Sequence, residues 1–455
     1  MFVYRVLFLR IEGLFMSGLW LVLSLLLIST HLSANDPFDE LDEEVALFEA
    51  EQGDSQKLQD EFEQYLQTEQ SDYQVWQNQY LKEFDLFQQQ VISKWGKVEP
   101  INAEYDVQFS EDKNVKSIVD YENEEVKVEL VIDQKLSQLE AEIAVKKQFE
   151  KLLADKESNI AAIFSDTPVS NTGEISLTKV AFSATNKQQS KQVIIKQTQS
   201  QAQEIDKKTD RALLTDSTLT EKEASLLATE EKSALLKSSQ ARLLNSDKGY
   251  QVAEQNADKN TRIITYKVKL PNNSLQKRAS KYASFAEQES KKNNIPAPLI
   301  MAIMHSESAF NPRAKSAVPA YGLMQIVPRT AGHDVNKLVR NIDRPMQVKD
   351  LYVPAINVET GSAYLNILDK RYLKAINNEQ SRLYCTIAAY NTGAGNVARV
   401  FNKDGTRNIN KAAKVINQLT PDEVYQQLLA KLPYDETKHY LERVYTRIAL
   451  YDATI

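Results

Sequence analysis

Glu307 stands where a carboxyl group could do proton chemistry. It closes an apolar run, Leu299, Ile300, Ile303 and Met304, that begins with Pro296 and Pro298, residues suited to a helix start. Four residues after Ile303 and three after Met304, Glu307 falls on the same helix face near its end. A carboxyl set against apolar neighbours loses hydration of its charged form, and its pKa rises. Such an acid stays protonated near neutrality and can give its proton to a leaving-group oxygen. Taken alone, the spacing favours a plainer Glu at the helix rim, exposed or paired with Arg313 or Lys315.

Three further blocks follow. Ala314 to Pro328 is a turn-rich loop carrying Ser316, Tyr321, Gly322, Met324 and Gln325. Ala388-Ala-Tyr390-Asn391-Thr-Gly393-Ala-Gly395 comes next, then Leu432-Pro-Tyr434-Asp-Glu436-Thr437. Each has a plainer reading: Met324 and Tyr321 as core, Tyr390 and Asn391 as packing and turn residues, Gly393 and Gly395 as the makers of a tight turn, Glu436 as a helix cap. The Gly-Ala-Gly pair lacks the Walker pattern and a preceding strand, so it is no nucleotide loop. His305, His333 and His439 have no metal-binding spacing. Cys385, the single cysteine, lies in an apolar helical stretch as an inert thiol and leaves no disulfide framework or multi-cysteine zinc site.

In this order the four blocks resemble the transglycosylase domain of the soluble lytic transglycosylase family, whose fold is similar to goose-type lysozyme, over about Leu275 to Ile455. The resemblance implies that Glu307 is general acid and then general base. It also implies that Ser316, Met324, Gln325, Tyr390 and Asn391 line a sugar-binding groove, and that Glu436 positions substrate or stabilises developing positive charge. Glycosidases that deliver water or form a glycosyl-enzyme normally use two carboxylates; these motifs supply one central acid, so the substrate must provide the nucleophile. The implied reaction cleaves the β-1,4 bond between N-acetylmuramic acid and N-acetylglucosamine in peptidoglycan and leaves a 1,6-anhydro ring, with no metal or organic cofactor. A hydrolytic muramidase on the same fold would need a second carboxylate, for which Asp334, Asp343 and Glu359 are candidates. A third reading is an inactive cell-wall binding or scaffold protein. Peptidoglycan glycan strands are the expected partner. Membrane association and cell-wall protein partners stay open, and no nucleic acid is expected.

The elements that must hold these residues form a multidomain chain: a small α+β N-terminal domain and an all-α, lysozyme-like C-terminal catalytic domain. At 455 residues, 42% hydrophobic and 26% charged, the chain has length for two or three domains and excludes a wholly disordered, collagenous or polytopic membrane protein. Its net charge of −7 is a sum of unlike parts. From Pro271 onward there are 25 Lys and Arg against 16 Asp and Glu, net +9, whereas residues 1–270 hold the remaining 30 and 46, net −16. Only the basic part suits an anionic partner by charge.

Arg5 and Arg10 precede an apolar run from about Leu14 to Ile28, and small residues at Ser33-Ala34 follow; residues 1–34 read as a secretory signal or an uncleaved signal-anchor. The rest is then exported to the periplasm or cell envelope, and no nearby cysteine is available for lipidation. An acidic linker spans Asp36 to Glu51. Tyr73, Trp76, Tyr80, Phe84, Phe87, Val91 and Trp95 then fall on one stripe of a long helix, as packing or as a glycan-stacking surface. Val115 to Tyr121 and the alternation of Val126, Val128, Leu130 and Ile132 predict a hairpin or meander, followed by a helix over about Gln134 to Leu153. These elements give an α+β domain over 35–157. It also resembles the N-terminal domain of the membrane-bound lytic murein transglycosylase C family, from which the long polar insertion and the missing lipoprotein cysteine depart. Residues 158–260 are Gln-, Lys- and Ser-rich, with no aromatic between Phe182 and Tyr250, and read as an insertion, partly helical or disordered, with local helix around Glu221 to Leu244. Residues 261–274 read as a strand returning to the earlier sheet, and 275–455 as the catalytic domain.

Overall fold

The computed structural model describes residues 75, 77–99, 105–133, 135–155, 158–165, 173–215, 218–258, 260–316 and 318–452. The signal or anchor, the acidic linker, Tyr73 and Trp76 lie outside the described residues. No helix among the described residues is long and apolar enough to cross a membrane. The chain divides into two compact units, Met1–Gln90 and Val91–Ile455. In the first, 77–90 are helical, with Leu81 buried and Tyr80 stacked on Phe84 at 6.5 Å.

The second unit holds two apolar cores. One is built on an antiparallel sheet of order β1-β2-β3-β5-β4, comprising β1 Tyr105–Phe109, β2 Val115–Asp120, β3 Glu125–Ile132, β4 Glu174–Lys179 and β5 Arg262–Lys269. Register sets Val126 opposite Val268 and Val128 opposite Tyr266, so strict alternation puts both pairs on one face. Helix α1, Gln138–Ala154, opens with a Ser137/Glu140 capping box and lays Ala141, Val145 and Phe149 on that face. Phe149 meets Tyr266 edge-on at 5.3 Å and also packs on Phe164 of α2, Asn159–Phe164. On β2, the ammonium of Lys116 is buried, 2.6 Å from Glu99, ion-paired with Glu129 across the ladder and 4.3 Å from the Trp95 ring centroid.

Between β4 and β5 the chain leaves the sheet as two long helices, α3 Ala184–Thr215 and α4 Glu221–Asn256. The polar composition of 158–260 therefore builds helices of 32 and 36 residues together with α2 and β4. Two features explain this. α3 contains no Gly or Pro and much Gln and Lys, which favour helix, and Thr220 with Glu223 caps α4. The pair is held by a thin apolar seam that includes Val193, Ile194, Ala224 and Ala228. Cross-helix polar bonds add to it: Thr198 Oγ1 to Ser239 Oγ at 2.7 Å, Lys191 to Asp247 at 2.8 Å and Lys232 to Asp206 at 2.7 Å. The hairpin is rooted in the sheet, because Lys179 stands opposite Arg262 and the Val180 amide donates to Thr261 O at 3.2 Å.

The second core is all helical: α5 Ser274–Asn293, α6 Ala297–Ser308, α7 Ala331–Val339, α8 Val348–Leu351, α9 Pro354–Ile367, α10 Glu379–Thr392, α11 Ala394–Phe401, α12 Ile409–Ile416, α13 Pro421–Lys431 and α14 Asp435–Asp452, with a π-helical turn at Leu368–Tyr372. α6 lies at its centre, with Ile300, Ala302, Ile303 and Met304 fully buried. Arg278 of α5 joins the two cores. Its guanidinium donates to Ala309 O at 3.2 Å, pairs with Glu124 at 3.1 Å and covers the Tyr121 ring. The expected boundary at 274/275 thus falls inside one compact unit, between its two cores.

The ion pairs of Lys116 give a stability prediction. Lys116→Ala strands the buried Glu129 carboxylate, and the sheet-containing unit should lose about 3–5 kcal/mol. Denaturant unfolding followed by fluorescence checks it; an unchanged midpoint would show that the pair contributes nothing.

Candidate functional site

α6 starts on Pro296 and stops abruptly after Ser308. Ala309 and Phe310 take positive φ, 48° and 65°, a conformation that cannot continue a right-handed helix. Three contacts fix this end. Ser308 Oγ is 2.8 Å from Leu323 O, the Ala309 amide donates to His305 O at 3.2 Å, and Arg447 of α14 donates to His305 O and to Ser306 Oγ. A guanidinium there also suits the negative end of the helix dipole. Glu307 is thereby held at a rigid helix terminus.

The carboxyl of Glu307 is enclosed, with a minor part of the residue still exposed. Burial pushes its pKa up to about 7, the nearby Glu436 charge adds to the rise, and the Tyr440 phenol, Lys207 and Arg443 oppose it. Tyr440 is buried, and among the described residues its hydroxyl meets no partner other than the Glu307 carboxyl it faces. His305 has a different part. Its ring stacks on Phe310 and its Nδ1 is 2.9 Å from the Tyr451 hydroxyl, while burial, Arg447 and Arg278 push its pKa down to about 3, so it is a neutral packing residue.

Beside α6 runs the 314–328 turn. Gly322 has φ of 75°, and a Cβ there would sit 2.3 Å from Leu351 O and 2.5 Å from Asn357 Nδ2; glycine is required by both space and conformation. Buried Asn357 holds the turn with every polar group used, accepting from the Met324 amide and donating to Tyr321 O and Leu351 O, all at 2.8 Å. Met324 is fully buried, its sulfur closely packed on Gly361, and buried Tyr390 donates to Met324 O at 2.9 Å. Gln325, itself at φ 47°, folds its amide onto Ala314 O and Gly322 O. Ser316 Oγ accepts from the Ala320 amide and bonds Val318 O.

Asn391 and Glu436 form a second group. Asn391 Nδ2 lies 3.3 Å from Glu436 Oε1, and Thr437 Oγ1 donates to Asn391 Oδ1 at 2.6 Å. Glu436 is exposed and acts on Glu307 through its charge. The structure therefore brings Glu307, Tyr390, Met324, Asn391 and Glu436 together around the end of α6, with Ser316 and Gln325 in the adjoining turn. Asp343 is instead bound to His333 at 2.7 Å and Lys337 at 2.9 Å, and Glu359 to Lys292 at 2.8 Å. Buried Asp334 pairs with Arg211 at 3.2 Å; even so, burial raises its pKa to about 7. No group of three or more His, Cys, Asp or Glu among the described residues could hold a metal ion.

Helix α3 is the component that sequence reasoning missed. Gln203 Nε2 lies 3.3 Å from Asn391 Oδ1, 3.4 Å from Glu436 Oε2 and 3.2 Å from Thr437 Oγ1. One helical turn on, buried Asp206 pairs with buried Arg407, accepts from Asn396 at 2.9 Å and meets the Tyr434 hydroxyl at 3.2 Å. Burial works against the Asp206 charge, but Arg407 and Lys232 outweigh it and hold the pKa below its ordinary value. Asp210 accepts from the Gly395 amide at 2.8 Å, so close that a Cβ on Gly395 would lie 2.1 Å from its oxygen. Glu204 bonds Thr330, and Arg211 donates to Arg329 O at 2.7 Å as well as to Asp334. In the sequence these residues form only a polar stripe at three- and four-residue steps, the pattern of a solvated face.

Residues 284–413 match the family model described as Transglycosylase SLT domain. The chain is 44% identical over 182 residues to membrane-bound lytic murein transglycosylase C of Serratia proteamaculans, an alignment covering 40% of this chain and 49% of that protein. It is also 44% identical over 184 residues to the protein of the same name from Shigella sonnei, covering 40% and 50%. Among solved structures, it is similar to the lytic transglycosylase Slt from Pseudomonas aeruginosa, with 28% identity, 38% of this chain and 24% of that one covered, and a TM-score of 0.29. The chain spans about half the length of the curated relatives it matches, and the segment that holds Glu307, Met324, Gln325, Tyr390 and Asn391 is the one the SLT family model describes.

Proposed function

We propose that the protein is a lytic transglycosylase of the cell envelope that cleaves peptidoglycan between N-acetylmuramic acid and N-acetylglucosamine. The observation that carries this reading is the enclosed carboxyl of Glu307, raised to about 7 at a fixed helix end, within the segment that matches the SLT family model. The relatives' names and the basic charge of residues 271–455 support a cell-wall substrate with carboxylate-bearing stem peptides.

Protonated Glu307 gives its proton to the glycosidic oxygen as the bond to the anomeric carbon of N-acetylmuramic acid breaks. The 2-acetamido group assists by sharing the positive charge that develops on the sugar. The Glu307 carboxylate then takes the proton of the 6-hydroxyl, whose oxygen closes on the anomeric carbon. The product is a 1,6-anhydro ring, no water is consumed and Glu307 is again protonated. Exposed Glu436, oriented by Asn391, puts negative charge on the side where the sugar becomes positive. Tyr390 acts through the backbone, by holding Met324 O, and Gln325 shapes the same turn. The commitment of Asp343 and Glu359 to ion pairs, and of Asp334 to Arg211, favours this route over delivery of water by a second carboxylate.

Mass spectrometry of sacculi digested by the full chain should find anhydro-muropeptides, and Glu307→Gln should abolish them while the protein stays folded. Reducing ends without anhydro rings would replace this reading with a hydrolase. The same substitution tests the physical cause. The carboxyl ionises near 4.5 when unfolded and near 7 when folded, so Glu307 costs stability progressively as pH rises through that interval. Glu307→Gln should therefore raise the thermal midpoint at pH 8 and leave it nearly unchanged at pH 4; equal effects at both would exclude a raised pKa.

Tyr440→Phe removes the hydroxyl that favours the ionised carboxyl, so the alkaline limb of the pH–rate profile, expected near 7, should move to higher pH. A limb that stays in place or moves lower would deny that Tyr440 tunes Glu307.

A further inference from the structure

Helix α3 crosses from one flank of the candidate site to the other. At one end of its contact face, Gln203 reaches Asn391, Glu436 and Thr437; at the other, Arg211 binds Arg329 O and Asp334. Between them Asp206 and Asp210 grip Arg407 and the Gly395 amide, and Lys207 lies close enough for its charge to act on Glu307. The Gln203 amide thus occupies the groups on Asn391 and Glu436 that a sugar hydroxyl or acetamido group would use.

From these contacts we infer that α3 is an autoinhibitory strap, seated in the glycan groove and competing with substrate for Asn391 and Glu436. The inference rests on the function proposed above. Two features suit a part that leaves and returns. The interface with the catalytic core is made mostly of hydrogen bonds and ion pairs, which water can replace, whereas apolar surface would resist exposure. The hairpin is also tethered at both ends to one place, where Val180 and Thr261 meet beside the β4–β5 ladder, so it can swing away while the sheet stays paired. A bound strap lowers apparent affinity for substrate by the fraction of molecules in which the groove is open.

The test is sacculus turnover by the intact chain, by Asp206→Ala, which removes the closer of the two carboxylates that hold Arg407, and by an excision that joins Lys179 to Arg262 through an Asn-Gly turn. Release should raise turnover about tenfold, as when an open fraction near a tenth becomes dominant. Turnover equal to or below that of an active intact chain would overturn the strap and make α3 a working wall of the groove. A chain that cleaves sacculi in no form would instead remove the proposed function. Hydrogen exchange needs no destabilised variant. Full-length Glu307→Gln saturated with a peptidoglycan-derived tetrasaccharide should exchange the amides of residues 203–211 about tenfold faster than without it, because sugar displaces the helix. Unchanged or slower exchange at saturation contradicts the inference, and failure to bind the tetrasaccharide at all counts against the function on which it rests.

Discussion

The structure turns on keeping one carboxyl group away from water at the end of one helix. A carboxylate enclosed by protein is costly, and the cheapest response is to keep its proton. That response requires a rigid surround, since a helix end free to fray would let solvent in. Ala309 and Phe310 in the left-handed region end α6 sharply, Ser308 ties it to the 314–328 turn, and Arg447 ties it to α14. Asn357 performs the same task one layer out, spending all its hydrogen bonds on the backbone of the turn that carries Met324 and Gln325. Around Glu307 the backbone is tied down instead, through Ser308, Arg447 and Asn357.

Much of this could be read from residue order. The apolar face of α6, with Glu307 on it, followed from three- and four-residue spacing, and the alternation of Val126 and Val128 gave a strand whose partner, β5, was also visible as an alternating segment. Gly322 could be read as a turn, though not the reason for it, which is a carbonyl 2.3 Å from where a Cβ would be. Asn357 carried no signal, because an amide that satisfies three distant backbone groups looks like any polar residue on a helix.

Helix α3 was illegible for a different reason, whereas α4 was read in part, around Glu221 to Leu244. Hydrophobic periodicity reveals a helix that buries apolar surface, and α3 buries polar surface. Gln197, Gln201, Gln203, Asp206, Thr209 and Asp210 are all buried there, each a residue type that a sequence reader assigns to solvent. Helix propensity without an apolar stripe points to helix or to disorder. What decides between them is a set of complementary groups on other elements: Arg407, the Gly395 amide, Asn391, Glu436 and Thr330. No local pattern reports those.

The chemistry of that interface also limits what it can be for. Asp206 and Arg407 are each buried, and taking two such charges out of water consumes most of what their attraction returns. Buried polar networks of this kind are therefore poor sources of net stability, though they are demanding about geometry, since every member needs its partner in place. An element meant only to cement two cores would be expected to use apolar side chains, as α6 does with Leu299, Ile300, Ile303 and Met304. α3 instead meets its neighbours mostly through polar groups, among them Gln203, Asp206 and Asp210, that water can also serve. Such an interface suits an element that yields its place to a polar ligand such as a glycan.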